Sequence, residues 1–163
     1  MLPKWIIPVK RLVLTTKTNI WCKLPYPRHP KGCPNYGKKA HCPPDSLNIK
    51  EVLNLKKPIY IVYNEFDLAA HMKRMSRLHP NWSEAMLRNV YYWQNKSRAQ
   101  LKTRISTAMI LLNTNVHIAN AEAMGVNLYA TCFVNGLKLE RIKTLKTCRH
   151  VALIGWRKKG AAL

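Results

Sequence analysis

The chain has 163 residues, with 28 Lys and Arg against seven Asp and Glu, a net charge of +21 and a hydrophobic share of 47%. That length suits a single domain burying roughly two thirds of its unfolded surface without a metal or disulfide as its main support, and the apolar share excludes a wholly disordered chain. A charge of this size attracts polyanions; nucleic acid, whose neutralised phosphates release counterions, is the partner it implies, with an anionic membrane surface as the other.

No run approaches the roughly 18 uninterrupted apolar residues of a membrane span. The opening MLPKWIIPVKRLVL lacks the clean apolar stretch and small-residue cleavage site of a signal peptide. The chain therefore reads as cytoplasmic, and in that compartment five cysteines point to metal-bound or reduced thiols rather than a disulfide framework.

In chain order, the β-branched stretch at 10–20 reads as a first strand. A cysteine-rich loop at 21–45 follows. Ser46 then offers an N-cap for a short helix over 47–55, carrying Ile49, Val52 and Leu53 at helical spacing. The apolar run PIYIVYNEF, 58–66, predicts a buried strand of the kind parallel sheets use. Asp67 caps a helix that Pro80 stops. From Ser83 the spacing of Met86, Val90, Trp93, Leu101, Ile105, Met109 and Leu112 predicts one long helix with basic outer faces. A helix over 116–125 ended by Gly125, a strand over 126–134, a turn and short helix over 135–146, a last strand over 150–157 and a basic tail complete the chain. Alternating strands and helices predict a single α/β domain over 1–163, with a mainly parallel sheet and flanking helices.

The loop holds Cys22, Cys33 and Cys42, separated by ten and eight residues, which is not the close pairing of zinc fingers. Prolines at 25, 27, 30, 34, 43 and 44 restrict the chain, while Gly32 and Gly37 allow the turns that let sulfurs converge. Crowded thiolates need positive charge, which a metal supplies directly and Lys23, Arg28, Lys31, Lys38 and Lys39 supplement. Cys22, Cys33 and Cys42 are thus the expected metal ligands, with His29, His41 or Cys148 as a fourth. A closed set of four suits zinc; three cysteines with an open fourth position suit a 4Fe–4S iron–sulfur cluster.

The segment GCPNYGKKAHCPP, Gly32 to Pro44, resembles the signature of a family of prokaryotic predicted metal-binding proteins, in which Cys-Pro-Asn-Tyr-Gly-Lys is followed by Cys-Pro-Pro. NAEAMGVNLYAT, 120–131, is similar to the Met-Glu-Ala-Met-Gly-Ile-Asn-Val stretch of that family. The resemblance implies Cys33 and Cys42 as ligands, with Cys22 as their upstream partner. Members carry further clustered cysteines before the second segment; MILLNTNVHIANAEAMG has none, so no second cluster is implied.

Outside the loop, Cys132 reads as a small core residue, and Cys148 and His150 stand at a strand end where α/β sheets place crevices. Glu122 is a rare acid, with a salt bridge as its ordinary fate and general acid or base beside a metal as the alternative. His71 and His79 flank Lys73, Arg74 and Arg77 on a surface expected to face phosphate. Arg88, Lys96, Arg98, Lys102 and Arg104 extend that surface along the long helix, where Tyr91 or Tyr92 offers a stacking partner and Trp93 enters the core. No Walker loop, dinucleotide fingerprint, HExxH or nucleophile elbow occurs.

Three functions fit these residues. The first is a metal-containing basic protein that binds nucleic acid. The second is an iron–sulfur enzyme that modifies a base in RNA or DNA, for instance by sulfur transfer. The third is a basic structural component of a ribonucleoprotein or viral assembly.

Overall fold

The computed structural model describes residues 1–25, 29–39, 41–141 and 144–161. Pro27 and Arg28 of the cysteine loop, positions 142–143 of the expected short helix and the last two residues of the tail lie outside the described residues.

Four strands form one sheet in the order β1-β2-β4-β3. They are β1 (Ile6–Pro8), β2 (Tyr60–Asp67), β3 (Val116–Ile118) and β4 (Thr147–Gly155). Every pairing is antiparallel, so the expectation of a mainly parallel sheet is overturned. The reason for the misreading is physical. Apolar runs mark strands covered on both faces, and here an antiparallel sheet is covered on both. One face carries Ile61, Val151 and Leu153 against Ile49, Val52, Val126 and Cys132. The other carries Val62, Ala152 and Ile154 against Leu101, Ile105 and Ala108 of the long helix.

The helices are α1 (Thr18–Trp21), α2 (Ile49–Val52), α3 (Leu68–Leu78), α4 (Glu84–Leu87), α5 (Gln94–Leu112) and α6 (Leu128–Val134). Asp67 caps α3 as expected, its side chain accepting from the Ala70 N–H. Asn48 rather than Ser46 caps α2, in a reciprocal capping box with Glu51. The single long helix expected from Ser83 is three pieces. Ser83 caps only α4, Asn89 opens a 3-10 turn over Val90–Tyr92, and α5 starts after Trp93. The break at Trp93 accompanies its indole stacking flat on Phe66 of β2, with centroids 4.7 Å apart.

Three further expectations are corrected. Residues 10–15 form a single bridge, Leu14 to Val126, instead of a strand. Several of their amides go elsewhere, Lys10 to Asn135 Oδ1, Val13 to Thr131 Oγ1 and Thr15 to the Gly125 carbonyl. The segment 116–125 supplies edge strand β3 and then turns, not a helix. Most of the run 126–134 is helix α6, not a strand: Asn127 caps it, and within the helix only Thr131 and Cys132 are buried.

Candidate functional site

The cysteine loop is shaped by its backbone. The Cys33 N–H donates to the Cys22 carbonyl at 2.7 Å, and the Gly37 N–H donates to the Pro43 carbonyl at 2.8 Å, which ties the turn after Cys33 to the end of the loop. Gly32 lies between them with φ of +83°, and a Cβ there would meet the Cys22 carbonyl oxygen at 2.5 Å. Only glycine permits that approach in that conformation. Cys22, Cys33 and Cys42 are each half-buried and free.

Cys33 and Cys42 both lie within electrostatic reach of the Cys22 thiol. Burial raises the Cys22 thiol above its ordinary range, and the neighbouring charges of Cys33, Cys42 and Glu122 raise it further. Burial also raises the Glu122 carboxyl. Cys132, buried in the core beside α2 and β2, is pushed up to about 12 by desolvation and then by Glu122, so it stays a thiol. Among the described residues, no group of three or more His, Cys, Asp or Glu side chains is arranged to hold a metal ion.

The expected fourth ligands are dispersed. His41 is exposed, and its carbonyl accepts from Asn120 Nδ2. His29 is half-buried within the loop. Cys148, the second residue of β4, stands opposite Phe66, its thiol raised by burial. The acid that acts on Cys22 is Glu122, which sequence reasoning treated as a catalytic group or ion-pair partner. Glu122 forms no ion pair among the described residues; the two that do form are Arg88 with Glu84 and Arg149 with Glu65.

The cations expected to face nucleic acid divide into three sets. Lys38 and Lys39 are exposed on the turn after Asn35. Lys73, Arg74 and Arg77 on α3 and Lys96, Arg98 and Lys102 on α5 are all exposed. Two others hold structure instead. Arg88 pairs with Glu84 and donates to the Leu145 carbonyl, while Arg104 donates to the Tyr63 carbonyl and lies over the Trp5 ring.

Between α3 and the start of α5, a cavity of about 570 Å³ opens over the end of β2. Arg74 and Lys96 line it together with Phe66, His71, Tyr92 and Trp93. Its floor is fixed by Asn64, whose amide donates to the Ser97 carbonyl, to Ser97 Oγ and to Gln100 Oε1. With Asn64 donating into it, the Ser97 hydroxyl has its own proton for His150 Nδ1, 2.9 Å away. Burial and then Arg98 lower His150, which agrees with a neutral ring accepting that proton.

His71 departs from its expected place on a phosphate-facing surface. It is 6% exposed, tilted against Phe66, and neither ring nitrogen has a hydrogen-bond partner among the described residues. Sequence alone held little sign of this, because His71 stands among the exposed cations of α3; its position one turn after the capped start of α3, on the side of Leu68, was the available signal. His79, Trp82 and Tyr92 form an outer aromatic stack, with successive centroids 4.0 and 4.9 Å apart. Compared with protein-family models, curated proteins and solved structures, the chain matches none. No helix among the described residues is long and apolar enough to cross a membrane.

Proposed function

We propose that the protein binds nucleic acid through the cationic faces of α3 and α5. One observation carries this reading. Lys73, Arg74, Arg77, Lys96, Arg98 and Lys102 are exposed, and none of them is in an ion pair among the described residues. Unneutralised cations on two adjoining helices suit a polyanion whose charges repeat along a strand. The adjacent His79, Trp82 and Tyr92 stack supports a strand with accessible base faces, since base-aromatic stacking contributes about 1–3 kcal/mol per base.

The test is a salt titration of binding to a single-stranded oligonucleotide. Neutralising six phosphates gives a slope of log affinity against log salt of about −4 on a single strand. Charge reversal of Lys73, Arg74 and Arg77 to Glu flattens the slope. A wild-type affinity that does not change with salt overturns the reading.

A second reading concerns the loop: Cys22, Cys33 and Cys42, which are not gathered into a metal-holding group among the described residues, converge on zinc or an iron–sulfur cluster when it binds, with Glu122 nearby. It is favoured by the Cys22 thiol, which burial and then the neighbouring charges of Cys33, Cys42 and Glu122 raise, a crowding that a bound cation would offset. Elemental analysis of anaerobically purified protein should find iron with sulfide, or zinc. The Cys33→Ser variant should lose it while the sheet persists; full metal content in that variant removes the assignment.

A further inference from the structure

Binding a phosphate backbone makes no use of the interior of the cavity between α3 and α5. Its volume of about 570 Å³ lies within the roughly 300–1,000 Å³ typical of small-molecule sites. Two features at its lining are unspent. The first is His71, buried with both ring nitrogens unpartnered among the described residues, a desolvation cost that an incoming partner would relieve. The second adjoins the lining at Trp93 and Lys96: the first turn of α5 has no side-chain cap, so the amides of Gln94, Asn95 and Lys96 have no acceptor within the helix.

We propose that this cavity receives one nucleotide of the bound strand, with its phosphate at the open N-terminus of α5 between Arg74 and Lys96 and the polar edge of its base on the His71 imidazole. The inference rests on the nucleic-acid reading above and names the unit that reading would specify. A helix N-terminus with flanking cations is an anion site by its own electrostatics. Tyr92, Trp93 and Phe66 add aromatic surface that an inorganic anion does not use.

His71 suits a base edge better than a phosphate. Desolvation, and then Arg74, lower its pKa, so the ring is neutral and offers one donor and one acceptor. The acids at the rim are already engaged: Glu65 accepts from Arg149, and Asp67 accepts from the Ala70 N–H. The ion pair with Arg149 offsets the charge of Glu65, while Asp67 keeps its charge against the two lining cations Arg74 and Lys96. The Asn64, Ser97 and Gln100 contacts hold the floor rigid, which lowers the cost of ordering the site on binding.

The experiment titrates the full chain with nucleoside monophosphates and, separately, with inorganic phosphate, following the ring proton resonances of His71 and the fluorescence of the tryptophans. The expected result is saturable nucleotide binding that shifts the His71 signals, with inorganic phosphate binding more weakly and leaving them unmoved. His71→Leu keeps an apolar ring-sized filling and should lower nucleotide affinity roughly tenfold, the equivalent of one lost hydrogen bond. Lys96→Ala is exposed and leaves the core intact; it should weaken nucleotide and phosphate alike.

Nucleotide binding that leaves His71 unmoved, or phosphate binding as tight as nucleotide, overturns the proposal. So does oligonucleotide binding without any mononucleotide binding, and in that case the broader reading stands. A mononucleotide that binds to a chain indifferent to oligonucleotides supports the site and overturns the strand.

Discussion

The two faces of functional interest are held by opposite means. Around β2, β4 and α5, order comes from side chains: Asn64 is wholly buried and donates to three acceptors on α5, and Val62, Ala152 and Ile154 meet Leu101, Ile105 and Ala108 without exposed area to spare. The cysteine loop has almost no core of its own. Of its described residues only Gly32 and Pro43 are buried, and its shape rests on backbone turns such as Cys33 to Cys22 and Gly37 to Pro43. A region fixed by packing is rigid on its own account. A region fixed by turns opens at low cost unless something bound locally closes it, which is why a metal at the loop would act on local order and leave the sheet largely indifferent.

The largest effect should come from breaking the first region. Asn64→Ala removes the donor to the Ser97 carbonyl, Ser97 Oγ and Gln100, together with the Asn64 Oδ1 that is buried without a partner among the described residues. The expected loss is roughly 2–3 kcal/mol, read as a lower denaturant midpoint at unchanged slope. Metal content per folded molecule should not change. A variant as stable as wild type would show that the polar floor of the cavity is not what fastens α5 to the sheet.

A smaller and more local effect is expected in the second region. Gly32→Ala places a Cβ 2.5 Å from the Cys22 carbonyl oxygen at a φ of +83°, so the turn must open. The left-handed conformation alone costs a non-glycine residue about 1–2 kcal/mol. Hydrogen exchange at the Cys33 and Gly37 amides should accelerate about 5- to 30-fold, while exchange in β2 and β4 stays at wild-type rates. Acceleration spread through the sheet would mean that loop and core form one cooperative unit, against the comparison above.

The same contrast explains what the sequence disclosed. The strands at 58–66 and 150–157 and the Asp67 cap were legible because each signal is local: an apolar run, or an Asp before a helical pattern. Strand direction was not, since burial on both faces looks alike for parallel and antiparallel pairing. The 126–134 run was misread because its aromatic and β-branched residues suggest a strand, while tertiary contacts bury Thr131 and Cys132 of a helix begun by Asn127. The candidate site was half legible. The three cysteines and the α3 and α5 cations are visible as residue types and spacing. Which cations stay in water is decided by distant carbonyls, Leu145 for Arg88 and Tyr63 for Arg104, and no local pattern reports those. The burial of His71 is likewise a product of Phe66 and Trp93 meeting across the sheet edge.

The mildest way to sharpen the comparison is pH, because the packed region holds two histidines that folding makes harder to protonate. His71 and His150 are both lowered from the ordinary value of 6.5, first by desolvation and then by Arg74 and Arg98 respectively. Between each folded value and 6.5 the unfolded chain binds more protons than the folded one, so stability rises with pH across that window and is fully present above 6.5. Acidification through the window should therefore lower the denaturant midpoint of the sheet and α5 gradually. It should also loosen the Ser97 bond to His150, since a protonated ring cannot accept there. His150→Leu should flatten part of this dependence and His71→Leu another part, while Gly32→Ala should leave it untouched. A pH dependence that survives both histidine changes would assign it to other groups and remove the claim that the packed face stores its order in neutral imidazoles.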